Sequence, residues 1–520
     1  MSEIHILTAN QMRLAEQSSI SAGISAFTLM ERAGHAAAIA VLNHMPDYGR
    51  VVIVAGPGNN GGDGFAAAYF LRQRRIPVTV VTLVPVDALT GHSKAHADKA
   101  RDAGAKIREA CSEHCLMELG RWLLRAVMVV DAVFGTGLSR PLQGRMREVV
   151  ERINQSDRLV LSVDIASGVC PDTGAILGAA VNADFTLPIA ATKWGHWLNS
   201  GRDYTGGLLD VADIGIDNAA IREAWVQSCG RIDKNDVFCV NSASVITDHF
   251  LGAAWPQRRR LSHKGCYGHV WIFGGSAGFT GAPQLTGLGA YAAGAGLASI
   301  VCPDDVWPVI AAASLEVMAH PESKADWHGA DALVIGPGWG KAQASLLSSL
   351  IESDKAMVID ADALNIVADS RSLQQKLAAR KQVTVMTPHP GEAARLLGVN
   401  VEDVQHDRKK SILALTTRYA CWVVLKGSET LIASPQKDIY LNPFGSAQLA
   451  IAGSGDVLAG MIGAQLARAN GGETSPGILI SAAVALHGKA GEDGGWYLAG
   501  ELAKVVAEMR QRIEQSGKTH

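Results

Sequence analysis

The chain has no excess of charge of either sign. It carries 47 Lys and Arg against 50 Asp and Glu, a formal net charge of −3. That balance gives no electrostatic basis for gripping nucleic acid or an anionic membrane. Long apolar runs are missing too. The most apolar segment, Ala290–Cys302, is short and interrupted by glycine, so no membrane span is expected. The opening Met-Ser-Glu-Ile-His lacks the basic and apolar regions of a secretion signal, and a cytoplasmic protein is expected. Cysteine is sparse, at eight residues in 520. Only Cys111 and Cys115 lie close, with His114 between them, and no second ligand pair follows. Reduced thiols are a simpler expectation than a metal site.

What is present fits a soluble enzyme of at least two domains, because 520 residues exceed one ordinary core. Glycine is abundant at 55, which suits many strand-to-helix turns. Short β-branched runs recur in the first half at Val51–Ala55, Val78–Leu83, Val127–Asp131 and Leu159–Asp164. They recur in the second at His269–Phe273, Ala332–Ile335, Ala356–Asp360, Val383–Met386 and Trp422–Leu425. Helical stretches between them predict parallel sheets, hence an α/β protein in two halves. The rhythm falters between Asp213 and Val237, the expected boundary. Thr8 and Gln11 have the spacing of a capping box for a helix reaching toward Met30. Arg258-Arg259-Arg260 precedes Ser262-His263-Lys264-Gly265 and reads as a solvated face or a phosphate-facing patch.

Residues 453–460 read Gly-Ser-Gly-Asp-Val-Leu-Ala-Gly, a tight loop feeding a helix. The unpaired amides of such a helix N-terminus attract anions. Asp456 would stand at the mouth of that site, an arrangement suited to moving a phosphoryl group onto a hydroxyl. The amides hold developing charge and the carboxylate takes the proton. A glycine-rich turn with Asp456 capping a core helix is the plainer alternative. Four further loops follow strand ends, where an open α/β sheet keeps its ligands. They are Gly336-Pro-Gly-Trp-Gly340, Asp360-Ala-Asp362-Ala-Leu-Asn365, Thr387-Pro-His389-Pro-Gly-Glu392 and Lys426-Gly-Ser-Glu-Thr430. Any one could be an ordinary turn; four in order before an anion loop argue for a site.

From Lys264-Gly265 to the Gly-Ser-Gly-Asp loop, roughly residues 240–510, the chain resembles the ribokinase-like fold and, within it, the ADP/ATP-dependent NAD(P)H-hydrate dehydratases. The resemblance implies that Ala282, Gly338, His389 and Asp456 contact the hydrated nicotinamide nucleotide, with Asp456 as the base. It implies that Lys426, Gly427, Ser428, Glu429, Thr430 and Gly455 hold ADP or ATP, with Mg²⁺ bridging its phosphates. Two positions depart from the family pattern. Ser454 stands where Thr is usual and keeps the hydroxyl. Asn442-Pro-Phe-Gly-Ser446 stands where Asn-Pro-Thr-Gly-Asn is usual, which bears on nucleotide preference.

In the first half, Gly56-Pro-Gly58-Asn-Asn-Gly61-Gly-Asp63-Gly64 satisfies G-x-G-x-x-G after the strand Val51–Ala55. Yet Thr79–Leu83 ends without the acidic residue of a dinucleotide fingerprint, and a Walker lysine is missing. The distinguishing core is Asn59–Asp63, which sets side-chain amides and a carboxylate beside backbone N–H groups. Asp131 closes a strand and leads to Gly135-Thr136-Gly137-Leu138-Ser139-Arg140-Pro141, with Arg140 available to phosphate. Asp164 closes the next and leads to Ala166-Ser167-Gly168. Each aspartate alone reads as an N-cap; three at adjacent strand ends read as a site. Together with Leu29-Met-Glu-Arg-Ala-Gly34, these residues resemble the NAD(P)H-hydrate epimerase domain over about 10–220. The resemblance implies that Asn59, Asn60, Gly61, Gly62, Asp63, Gly135 to Pro141 and Asp164 bind the hydrate. It implies K⁺ at Asn60, Asp131 and Ser167, and Asp164 as the acid/base for inverting C6. Glu16 stands where many relatives carry Asp and receives no role.

The two resemblances together imply two three-layer αβα domains, Rossmann-like over 1–225 and ribokinase-like over 236–515. They imply a repair enzyme that interconverts the R and S hydrates of NADH and NADPH (NADHX and NADPHX). It would then dehydrate the S form at the expense of ADP or ATP. A homo-oligomer, a tetramer or larger, with no nucleic-acid or membrane partner, goes with that reading. Two rivals stand beside it. One is a small-molecule kinase of the ribokinase group, distinguished by a stable phosphorylated product. The other is a first half that binds or scaffolds without catalysis, against which an intact Asn59–Asp63 core with Asp131 and Asp164 speaks.

Overall fold

Val51, Ile53 and Ala55 belong to one buried cluster, while Val52 and Val54 belong to another. Successive side chains of a strand point to opposite faces, so both faces of this sheet are covered. The computed structural model describes residues 4–230, 240–255, 258–469, 474–494 and 498–516. Part of the expected boundary, residues 231–239, lies outside them, as does the side chain of His114. The chain divides into two compact units, Ile4–Lys234 and Asn235–His520. No helix among the described residues is long and apolar enough to cross a membrane.

The first unit holds a seven-stranded sheet. Its order is Lys106–Glu109, Val78–Thr82, Val51–Ala55, Met128–Ala132, Leu159–Val163, Phe185–Leu187 and Gly207–Leu208. Every neighbouring pair is parallel. Strand order therefore reverses between Val51–Ala55 and Met128–Ala132. The loops leaving these two strands run in opposite directions and open a crevice at their carboxyl ends. Thr8 and Gln11 do form the capping box, but the helix they start, Ala9–Ser21, stops well short of Met30. Gly23, at φ 107°, turns the chain, and Ser25 caps a new helix, Ala26–His44.

In the second unit the parallel order is Met318–Pro321, Leu297–Cys302, His269–Phe273, Ala332–Ile335, Ala356–Ile359, Thr384–Met386 and Trp422–Leu425. Leu431–Ala433 and Asp438–Leu441 then add antiparallel strands, and Ser242–Val245 pairs parallel to the latter. Here the order reverses between His269–Phe273 and Ala332–Ile335. Helices Gly281–Ala292 and Ser454–Ala469 press together across this end of the sheet. A Cβ on Gly289 would lie 2.2 Å from the Val457 carbonyl, and one on Gly460 would lie 1.9 Å from that of Thr286. That contact fixes where the N-terminus of Ser454–Ala469 sits. The arginine run is a solvated face. Arg259 and Arg260 are exposed, while Arg258 stacks over Tyr267 at 4.1 Å and donates to the Gly294 carbonyl at 2.6 Å.

Candidate active sites

In the second unit, the strand Trp422–Leu425 delivers Lys426 into the carboxyl end of the sheet. Its ammonium donates to Asp360 Oδ1 at 2.8 Å and lies 4.0 Å from Glu392 Oε2. Burial alone would lower this ammonium; Asp360 and Glu392, with Asp456 behind them, outweigh it and hold its pKa above the usual value. Burial pushes the Asp456 carboxyl up to about 7, Asp360 adds to the rise, and Lys426 opposes it. Glu392 is likewise pushed up to about 7, by burial first. A carboxyl that titrates near neutrality is a competent base at working pH.

The surrounding loops are tied to one another. Glu392 accepts from His389 N at 2.8 Å while His389 Nδ1 accepts from Gly391 N at 3.0 Å, a capping box on the helix Pro390–Leu397. The His389 proton therefore sits on Nε2, 3.4 Å from Glu392 Oε1. Burial and then Lys426 lower its imidazolium, leaving the ring neutral at pH 7. Gly338, at φ 60°, lies against Ala282, and a Cβ there would come 2.6 Å from the Phe279 carbonyl and 3.1 Å from Ala282 Cβ. Gly340 N donates to Asp362 Oδ2 at 2.8 Å, binding the Gly336–Gly340 loop to the one that follows Ala356–Ile359.

Beside these residues lies a cavity of about 520 Å³. Lys426, Gly427, Ser428, Glu429, Thr430 and Gly455 all line it, while Ala282, Gly338, His389 and Asp456 do not. Leu449, Leu458 and Val484 form its apolar part. A Cβ on Gly455 would lie 3.5 Å from Lys426 Nζ, so the ammonium stands at the helix N-terminus. One part of this space suits a flat apolar ring and the other suits phosphate. Two supports were not legible in the sequence. Arg408 is buried and donates to the carbonyls of Leu425 and Lys426, holding the loop from beneath. His487 is buried, contacts the Ser454 carbonyl through Nε2 at 3.0 Å, and is lowered to about 4 by burial, so it is neutral.

In the first unit, the sheet crevice is a cavity of about 610 Å³. Asn59 and Asp63 line it from the N-terminal part of the helix Asn59–Gln73, and Gly135 to Leu138 line it from the facing loop. Gly61 and Gly62 are packing residues instead: a Cβ on Gly61 would lie 2.0 Å from the Gly56 carbonyl, and one on Gly62 2.5 Å from the Met30 sulfur. Ser139, Arg140 and Pro141 are exposed and do not line the cavity. A Cβ on Gly135 would lie 2.9 Å from Asp164 Oδ2 and 3.4 Å from Asn60 Cγ, so this glycine leaves room for both side chains.

Asp164 adopts φ 71°, a left-handed conformation costly for a residue with a side chain. Its backbone is held from both sides: its N–H donates to Leu187 O at 2.9 Å, and His196 Nε2 donates to its carbonyl at 2.8 Å. Its carboxylate pairs with Lys193 and accepts from Thr136 N at 3.3 Å. Lys193 has no solvent exposure and also donates to the carbonyls of Ile189 at 2.8 Å and Ala191 at 3.0 Å. This lysine was not among the residues legible by spacing. Its signal was a lone cation in the apolar stretch Leu187 to Trp197. Burial, then Asp164, raises the carboxyls of Asp63 and Glu16, and Lys193 opposes both rises.

Asp131 is buried at the end of its strand. Oδ1 accepts from Ser167 Oγ at 2.6 Å and Val133 N at 3.2 Å; Oδ2 accepts from Ser162 Oγ at 2.8 Å and Ser167 N at 2.9 Å. Asn60 is buried and lines the cavity, which Asp131 and Ser167 do not, and neither its Oδ1 nor its Nδ2 has a partner.

The comparisons agree with this division. A model for NAD(P)H-hydrate dehydratase matches residues 270–496, and one for the YjeF-related protein N-terminus matches 26–195. The bifunctional NAD(P)H-hydrate repair enzyme of Coxiella burnetii is 33% identical over 468 residues, 88% of this chain and 89% of that one. The enzyme of the same description from Moorella thermoacetica is 33% identical over 99% of this chain and 98% of its own. Among solved structures, the ADP/ATP-dependent NAD(P)H-hydrate dehydratase of Bacillus subtilis, co-crystallized with ATP/Mg²⁺, is 31% identical. It covers 52% of this chain and 98% of its own, at a TM-score of 0.45. With likeness at this level running through both halves, the chain belongs to the family of bifunctional NAD(P)H-hydrate repair enzymes.

Proposed function

We propose that the chain repairs hydrated NADH and NADPH in two steps, one in each unit. The second unit dehydrates the S hydrate. The observation that carries this reading is Asp456, a carboxyl at about 7 in the first turn of a helix whose N-terminus opens on the cavity lined by Lys426. Asp456 takes the proton of the C6 hydroxyl as that oxygen attacks the terminal phosphoryl of ADP or ATP. Lys426 and the amides of Gly453 to Gly455 hold the charge on the transferring group, worth roughly 10²–10³ in rate per good donor. The C6–O bond then breaks, with phosphate leaving and the N1 lone pair closing to C6. Loss of a C5 proton restores the dihydronicotinamide. Ala282, Gly338 and His389 position the hydrate beside Asp456. Lys426 to Thr430 and Gly455 bind the nucleotide. No group of three His, Cys, Asp or Glu side chains that could hold a metal stands among the described residues, so Mg²⁺ would be held chiefly by water and by the nucleotide's phosphates, whose charge it would neutralise.

The first unit epimerises the hydrates, with Asp164 as the acid/base at C6 and Lys193 paired with it. Asn59, Asp63 and Gly135 to Leu138 surround the hydrate; Ser139 to Pro141 reach it only from the rim. K⁺ fits at Asn60, whose Oδ1 is buried without a partner. Asp131, which does not line the cavity, would supply the negative charge. Each Asp131 oxygen already takes two donors, so direct ligation would require the Ser167 hydroxyl to turn toward the ion. A cytoplasmic homo-oligomer completes the reading and is checked by sedimentation of the purified protein.

The test uses mixed epimers of NADH hydrate with Mg²⁺, K⁺ and either ADP or ATP, followed at the reduced-nicotinamide absorbance. Full recovery with one nucleotide supports both steps and names the donor. Recovery stopping near half removes the epimerase. No recovery with either nucleotide overturns the repair reading in favour of a small-molecule kinase.

A further inference from the structure

Among the described residues only two cations line the first unit's cavity, Lys193 and Arg13. Lys193 is buried and committed to Asp164 and two backbone carbonyls. Three carboxyls, Glu16, Asp63 and Asp164, line the same space. The expected ligand is a dinucleotide whose phosphates are anionic, and that end cannot rest among these carboxyls. Arg140, the cation assigned to phosphate on sequence grounds, is exposed and outside the cavity lining. Arg13 is different. It lies on the helix Ala9–Ser21, between Asn10 and Glu16 at three-residue spacing, so the three share one helix face, and all three line the cavity. Asn10 Oδ1 accepts from Arg13 Nη2 at 2.8 Å, which orients the guanidinium while leaving its other donors available.

We infer that Arg13 is a phosphate-binding residue of the epimerase cavity and sets which end of the hydrated dinucleotide enters beside Asp164. This rests on the epimerase reading above. The phosphate it grips belongs either to the pyrophosphate, present in both hydrates, or to the 2′-phosphate, present only in that of NADPH. A planar guanidinium suits either one by paired hydrogen bonds.

The experiment measures conversion of the R to the S hydrate by the full-length chain, with R13Q and R13K beside the unaltered protein, for NADHX and NADPHX separately. R13Q should raise KM about tenfold, the size of one charge-assisted hydrogen bond, and leave kcat within about twofold. R13K should recover part of the loss, and the salt dependence of KM should weaken in R13Q. Equal rises for both hydrates support the inference and assign the pyrophosphate. A rise confined to NADPHX supports it and assigns the 2′-phosphate. Unchanged KM for both overturns it. Retention of kcat for epimerisation, with an unchanged melting transition, reports that the substituted unit is intact. An unaltered protein that interconverts neither hydrate sinks the epimerase reading itself, which separates the two failures.

Discussion

Both sites are built around one lysine set among carboxyls at the carboxyl ends of parallel strands, yet the two lysines are held differently. Lys193 has no exposure and spends its donors on Asp164, Ile189 O and Ala191 O. Lys426 keeps a fifth of its side chain exposed, donates to Asp360 and lines an open cavity. The first lysine is a fixed counter-charge; the second is placed to meet a ligand. The titrating carboxyls differ to match. In the second unit the raised carboxyls, Asp456 and Glu392, include the one proposed as the base; in the first, Asp63 and Glu16 are raised around the aspartate that Lys193 holds. A site that transfers phosphoryl needs a cation within reach of phosphate, whereas one that only moves protons and a C–O or C–N bond needs its charge balance locked.

The strongest break of that comparison is D456N. It keeps the shape and removes the base, so dehydration should fall by about 10²–10⁴ in kcat while nucleotide binding, followed by calorimetry, is retained. Near-normal turnover would take the base role from Asp456. Next in size, K193M should destabilise its unit by about 3–5 kcal/mol, because Asp164 is left as an uncompensated charge beside a buried apolar stretch. Epimerisation should disappear with it. K426M should remove phosphoryl transfer with a smaller fall in thermal stability, since Glu392 and Asp456, both at about 7, can take up protons and relieve the charge left at buried Asp360. Equal falls in melting temperature would dissolve the distinction between a locked and a ligand-facing lysine.

A smaller effect concerns pH. Asp456 and Glu392 titrate at about 7 in the folded chain, against 3.8 and 4.5 without the fold. Between those values the folded state binds more protons, so stability of this unit should fall as pH rises from about 4 through 7. Activity should move the opposite way, because the base must be ionised: kcat/KM for dehydration should climb with pH and level off above about 7. D456N should flatten part of the stability curve. A stability curve that rises with pH across that window would show that these carboxyls are not raised.

The central strands were legible because they are β-branched runs that both faces bury. Val51–Ala55, His269–Phe273, Ala332–Ile335 and Trp422–Leu425 were read to the residue. Edge strands such as Lys106–Glu109 and Gly207–Leu208 were not, because they carry polar or small residues and owe their form to a neighbour. In the sites, glycine loops and carboxylates were visible by spacing. Lys193 and Arg13 were not, since each comes to its cavity from a segment remote in sequence from the loops it faces. Asp360 and Glu392 were visible as loop residues, but a role for them required knowing that the Lys426 ammonium falls between them.

The least effect expected is at Phe444, where the family more often has Thr. The ring carries Lys489 Nζ at 4.3 Å over its face, and that ammonium also pairs with Asp248 at 2.6 Å. The backbone here does separate work: the Phe444 carbonyl accepts from Asn442 Nδ2 at 2.7 Å, and Asn442 N donates to Thr430 O at 2.9 Å, which joins two loops of the nucleotide cavity. Phe444→Thr removes the ring and keeps those bonds. A partly exposed cation–π contact is worth about 0.5–1 kcal/mol, so the KM for nucleotide should shift by about two- to fivefold and folding should persist. Because the residue lines the cavity holding Lys426 and not the cradle of Ala282 and Gly338, the KM for the hydrate should stay unchanged. Measured with ADP and ATP in parallel, unequal shifts would make this loop a determinant of which donor is used. A matching shift in the hydrate KM would mean that the two ligand spaces are coupled through the Lys426–Asp360 pair.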